Sequence, residues 1–258
     1  MNMNRVKYEK PQRGNPHQFA INQHVFPAAS IARFADKNGT VSLADGLRQK
    51  VRRAKPNDHI FCAKRAWDHR SETGYMRSIE GQFQQLASRI IEGAVTEIGD
   101  SEKNIVDRFW SLWYMRALNR TLESQEVQAR GIIGGSMLTQ DQEENLEKNG
   151  YMFAREGGRF LARQLNGMKV QIGIDRYHGS LSETKWGIIH AEEGEFVVPD
   201  APTCTIVPLT PTLCIAASPV SGTIVFQNVA EINRAVVDHA RSYFFARDLS
   251  KCPIAIKR

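Results

Sequence analysis

Residues 100–118 read DSEKNIVDRFWSLWYMRAL, and their apolar side chains are not confined to one stripe. At helical spacing Ile105, Phe109, Leu112, Trp113, Met115 and Leu118 spread over more than one side. A helix of that kind must be covered from several directions. The segment is therefore predicted at the centre of a domain, with Asp100 or Ser101 as its cap. Just upstream, Ile79, Phe83, Leu86, Ile90 and Ile91 form the stripe of an amphipathic helix within 79–98, which supplies one covering face. With 258 residues the chain can bury roughly 70–75% of its unfolded surface, so its core needs neither disulfides nor metal.

The remaining pattern divides the chain. Residues 1–20, punctuated by Pro11, Gly14 and Pro16, lack periodicity and read as a flexible basic arm. Val25, Phe26, Ile31 and Phe34 follow as core candidates, and 36–39 reads as a turn. A strand at 40–43 is expected to pair near 60–62. Thr139 with Gln142 forms a capping box, and 153–165 continues in helical period. Beyond that point short β-rich runs at 170–174, 186–190, 196–198, 203–207, 213–217 and 223–226 predict an antiparallel sheet. Asn228 with Glu231 reads as a second capping box, and 243–246 as a final strand. Helices first and strands later argue an α+β fold over a doubly wound sheet. The expected organisation is an arm at 1–20 and one composite domain at 21–258, helical over 21–168 and β-rich over 169–258.

Several classes are excluded by absence. The polar, basic start lacks the apolar core of a secretory signal, and the longest apolar stretch, around 109–118, is broken by Ser111 and Arg116. No membrane partner is expected. Cys62, Cys204, Cys214 and Cys252 form no C-x-x-C pair, which leaves free buried thiols and a cytoplasmic setting. There is no P-loop, nucleophile elbow, H-E-x-x-H or dinucleotide fingerprint. Gly131-Ile-Ile-Gly-Gly135 follows a helix and lacks the P-loop lysine.

Charge is more informative. Residues 1–77 hold 15 Lys and Arg against 6 Asp and Glu, whereas 131–258 hold 13 against 14. Within that basic third lie Arg48, Lys50, Arg52, Arg53, Lys55, Lys64 and Arg65, with Phe61 and Trp67 among them. Cations that neutralise phosphates beside aromatics that stack on bases suggest a surface for DNA or RNA. A solvated loop that only aids solubility is the plainer alternative.

Three separated stretches also resemble a known family. His24-Val-Phe-Pro27, then Ile31 and Arg33-Phe34, is similar to the opening motif of a largely bacterial family, domain of unknown function 4238. Its Glu-containing helix is matched by Ser78-Ile-Glu80-Gly-Gln-Phe83, and its apolar helix ending in arginine by 109–116. Its Ser-Asp-Asn-Pro motif is matched by Pro199-Asp200-Ala201-Pro202, its Pro-Leu-Ser/Thr-Pro segment by 208–211, and its closing Asn by Asn233. Ala201 stands where the family has Asn. The resemblance spans 23–246 and implies a set of residues without an established reaction.

Those residues define the candidate site. His24, Glu80 and Asp200 are expected either to converge at the junction of helices and sheet or to serve as core pairs. If convergent, they would act as acid and base or hold a divalent metal (Mg or Mn), with Arg116 and Asn233 contacting substrate. In the structural alternative His24 caps a turn, Glu80 pairs with Arg116 across adjacent helices and Asp200 caps a turn. The expectation is a nucleic-acid-processing phosphodiesterase or nuclease, a toxin or phage-defence effector. Its rival is a non-enzymatic nucleic-acid-binding, regulatory or partner-binding protein. A homo-oligomer is compatible with either.

Overall fold

The computed structural model describes residues 8–46, 50–202 and 204–255. In chain order the first elements are β1 (Asn22–His24), α1 (Ala28–Ala32), β2 (Val41–Asp45), β3 (Lys50–Ala54) and β4 (Cys62–Lys64). The helical middle holds α2 (His69–Ser71), one π-helical turn (Glu72–Met76), α3 (Arg77–Ile91) and α4 (Asp100–Leu118). Next come β5 (Glu126–Gln128), α5 (Gln140–Lys148), β6 (Ala154–Arg155), β7 (Arg159–Leu161) and α6 (Ala162–Ser180). The last part runs β8 (Trp186–Ala191), β9 (Val198–Pro199), β10 (Ile206–Thr210), β11 (Leu213–Ala217), β12 (Gly222–Ile224), α7 (Phe226–His239) and β13 (Tyr243–Ala246). The fold is α+β.

α4 lies at the centre, packed against α3 on one side and α6 on another. Phe83 of α3 and Phe109 of α4 stack with ring centres 3.5 Å apart. Trp113 meets Phe26 at 4.4 Å, and Phe26 reaches Phe245 of β13. One buried cluster thus links the start, middle and end of the chain. Each of these large side chains contributes about 1.5–3 kcal/mol on full burial. The cap of α4 is Gly99, with no side-chain bond, in place of the expected Asp100 or Ser101.

Among the described residues four sheets flank the helices. β10-β11-β8-β12 is mixed, since β12 runs parallel to β8. β3-β2-β13-β9 is antiparallel and joins N-terminal to C-terminal strands, so the helical and β-rich parts interleave. β1 pairs with β4, and β5-β7-β6 forms a small third antiparallel sheet. The strand near 40–43 therefore pairs with β3 and β13, and residues 62–64 pair with β1 instead.

Three other expectations are corrected. Residues 154–161 form the β6–β7 hairpin, because Gly157 and Gly158 turn at positive φ (76° and 73°), and only 162–165 of the expected helical run lie in α6. Residues 170–174 lie inside α6: Val170 and Ile174 are buried one helical turn apart, while Ile172 is 64% exposed. α7 begins at Phe226 behind Val225, so Asn228 sits in its first turn and caps nothing. The Thr139–Gln142 capping box is present as expected.

The N-terminal segment is docked from residue 8 onward. Gln12 donates its backbone N–H to Glu144 at 2.8 Å, and its amide donates to Asp141. Glu9 pairs with Arg155 and Arg163. Among the described residues no helix is long and apolar enough to cross a membrane.

Candidate functional site

The expected triad is not assembled as a metal centre. Among the described residues no group of three His, Cys, Asp or Glu side chains is placed to hold a metal ion. His24, at the end of β1, makes a 3.1 Å bond through Nε2 to the carbonyl of Pro56. Asp200, only 3% exposed, accepts from the backbone N–H groups of Arg241 and Ser242 at 2.9 and 2.8 Å. Its two oxygens hold the turn that feeds β13. Asn233 is fully buried: it donates to the carbonyls of Glu195 and Pro253 and accepts from Val197. It clasps three chain segments and faces no solvent.

Glu80 and Arg116 do meet. Arg116, 1% exposed on α4, donates to Glu80 of α3 and, at 3.2 Å, to Glu72. Its guanidinium lies 5.4 Å from the Trp67 ring centre, and the Trp67 indole N–H donates to Glu72. Burial alone would depress the guanidinium pKa, but attraction to Glu80 and Glu72 outweighs it and raises the value. The Glu72 and Glu80 side chains are 20% and 24% exposed. Among the described residues, Glu72 Oε1 and Glu80 Oε2 take no hydrogen bond. Arg116 therefore sits beneath two solvent-reachable carboxylates and positions them.

Glu72 escaped the sequence reading. Eight residues separate it from Glu80, and in an α-helix that overshoots two turns by about 80°. The intervening π-helical turn is wider and removes part of that excess. Isolated π-turns of this kind recur at functional sites. On the same turn Tyr75 donates its hydroxyl to Asp175 at 2.6 Å and accepts from Arg108 at 2.7 Å. Burial and the bond to Asp175 push the Tyr75 phenol up to about 12.

The described arginines of the basic segment are neutralised, and Phe61 and Trp67, expected to stack on bases, are fully buried. Arg52 makes two bonds to Asp58, at 2.7 and 3.1 Å. Arg53 pairs with Asp36 at 2.6 Å and donates to the carbonyls of Thr40 and Arg247. Lys64 donates to Asn22. Arg65, 3% exposed and at φ 43°, pairs with Glu147 and lies 4.5 Å over the Phe19 ring. Lys50 and Lys55 are exposed, and Arg48 lies outside the described residues. A second ionic group, also missed, joins Arg65, Arg155 and Arg163 to Glu9, Glu126, Glu143 and Glu147. Its members are scattered from residue 9 to 163, so no local spacing announces it. No protein-family model, curated protein or solved structure matches the chain.

Proposed function

We propose that the protein hydrolyses phosphodiester bonds in nucleic acid, and that Glu72 and Glu80, positioned by Arg116, form its reactive centre. The observation that carries this reading is two reachable carboxylates, each with an oxygen open, fixed on one buried guanidinium. One carboxylate can take a proton from an attacking water, while the leaving oxygen takes its proton from solvent. Glu72 and Glu80 would also be the residues to hold Mg or Mn, which binds through one or two carboxylates together with substrate phosphates. Such an ion would polarise a phosphoryl oxygen. The exposed Lys50 and Lys55 would add sequence-indifferent affinity.

The test is cleavage of single- and double-stranded substrates with Mg²⁺ or Mn²⁺, comparing Glu72→Gln, Glu80→Gln and His24→Ala. Loss of turnover in both glutamine variants, with turnover retained in His24→Ala, is expected. Turnover indifferent to Glu72 and Glu80, or no turnover on any substrate, overturns the reading. A second reading, binding without turnover, is favoured by the complete internal pairing of Asp200 and Asn233. It predicts salt-dependent binding that neither glutamine change alters.

A further inference from the structure

We propose that residues 8–19 are a displaceable strap, and that Glu9 occupies, from within the chain, a guanidinium cradle for a phosphate-type anion. Three arginines from separate elements converge on this one residue. Arg155 donates to the Glu9 carboxylate at 2.6 Å and Arg163 to its other oxygen, while Arg65 donates to the Glu9 backbone carbonyl at 3.2 Å. Arg163 and Arg65 are 4% and 3% exposed. Without the Glu9 carboxylate, Arg163 Nη1 would lose its acceptor, whereas Arg65 Nη1 loses its own only when the residue-9 backbone leaves. A tetrahedral oxyanion can accept from several guanidiniums at once.

The opposing charges are accounted for. Glu147 takes Arg65 Nη2 and the Nε and Nη2 of Arg163. Glu143 and Glu126 take the remaining donors of Arg155. The donors aimed at Glu9 are those these core carboxylates leave over, apart from Arg155 Nη2, which Glu9 shares with Glu143. Four arginines, Arg65, Arg155, Arg159 and Arg163, face Glu126, Glu143 and Glu147, so the cradle without Glu9 is one charge positive; Glu144, which holds the strap through Gln12, and Glu156, which lines the adjoining cavity, bring it to one charge negative. Binding by such a cradle is weak and rests on geometry more than on net charge.

Space and attachment also fit. A cavity of about 580 Å³ adjoins Glu9 and is lined by Lys10, Gln140, Arg155 and Arg159, with the carboxylates of Glu143 and Glu156 also on its wall. The strap holds on by the part-buried bonds of Gln12 to Glu144, by Phe19, buried beneath Arg65, and by the exposed bonds of Gln12 and His17 to Asp141, both at 3.0 Å. Bonds of that exposed kind exchange readily with water. The cradle is independent of the Glu72–Glu80 pair, so this proposal stands whether or not the chain cleaves nucleic acid.

The experiment uses the full chain, as wild type, Glu9→Ala and Glu9→Gln, with inorganic phosphate as the probe and chloride at equal ionic strength as control. Phosphate is expected to raise the unfolding midpoint of both variants more than that of wild type. In wild type, phosphate is expected to speed trypsin cleavage after the exposed Arg13 several-fold, since Lys10 precedes Pro11 and is not cut. Variants whose midpoints ignore phosphate, or an undiminished response in Glu9→Ala/Arg163→Met, overturn the cradle. If neither variant folds, the wild-type cleavage decides, and a rate that phosphate leaves unchanged or slows overturns the strap.

Discussion

Replacing Arg116 by Met keeps an unbranched apolar stem and removes the guanidinium with its charge, and so isolates what that group does for Glu72 and Glu80. Arg116 is 1% exposed and bonded to both carboxylates. Breaking a buried ion pair by deleting one partner costs about 3–5 kcal/mol, because the other charge stays behind. Here the partners left behind are 20% and 24% exposed, and water compensates part of that loss. A cost of about 2–4 kcal/mol follows, which for a chain of this size is a midpoint lowered by roughly 5–12 °C. Glu80→Gln should cost less, about 1–2 kcal/mol, since the amide oxygen still accepts from Arg116 and Glu72 still balances the charge. Urea unfolding of both variants and of the double variant measures the coupling. A loss below about 1 kcal/mol in Arg116→Met, or strict additivity in the double variant, would refute the claim that this guanidinium organises the two carboxylates.

Other outcomes follow from the same structure. Asn233→Ala orphans one buried N–H and two buried carbonyls and should cost about 3–5 kcal/mol in urea unfolding; a loss under about 1 kcal/mol would show that water enters the clasp. Burial would raise the Glu9 carboxyl pKa, but Arg163 and Arg155 together hold it below its ordinary 4.5. Its contribution is therefore present above pH 4.5 and lost as pH falls through the lower folded value, so the acid limb of stability should flatten in Glu9→Gln; an identical limb would contradict the pairing. Burial pushes the Cys62 thiol up to about 11 and Cys252 to about 12, and raises Cys214 further, so at neutral pH all three should label more slowly than half-buried Cys204 with a thiol reagent. Equal labelling rates in the native protein would count against those burials.

The sequence disclosed elements whose reason for forming is local. Of the expected stripe Ile79, Phe83, Leu86 and Ile90 are buried as spaced while Ile91 is exposed, and the Thr139–Gln142 box caps its helix by a bond within four residues. α6 was hidden because its reason is tertiary. Val170, Ile172 and Ile174 alternate like a strand, and Gly167 and Gly173 argue against a helix by propensity. Close approach favours glycine at both: a Cβ on Gly167 would stand 2.1 Å from Asp68 Oδ1, and one on Gly173 the same distance from Met115 Cε, the end of a side chain that can shift. The site shows the same division. Glu80 and Arg116 could be paired in advance because both lie on strongly periodic helices. Glu72 could not, since its alignment with Glu80 depends on a π-helical turn that residue spacing does not reveal.

The basic third of the chain changes meaning once its partners are seen. A guanidinium is planar, weakly hydrated and able to grip a carboxylate with two donors, whereas an ammonium is strongly hydrated and stays in water. The arginines here follow that chemistry: Arg52, Arg53 and Arg65 are drawn to Asp58, Asp36 and Glu147, as Arg116, Arg155 and Arg163 are to their own glutamates. Lys37, Lys50, Lys55 and Lys64 remain exposed. The charge offered to a polyanion is thus smaller than the count of cations, and it is carried by lysine point charges together with the exposed Arg13, Arg70 and Arg77. Contacts of that type neutralise phosphates without reading bases, so any nucleic acid bound through them is held by its backbone and released by salt. Selectivity, if the protein has any, must arise elsewhere. The reachable groups with fixed geometry are Glu72 and Glu80, which are therefore where substitution should separate binding from chemistry.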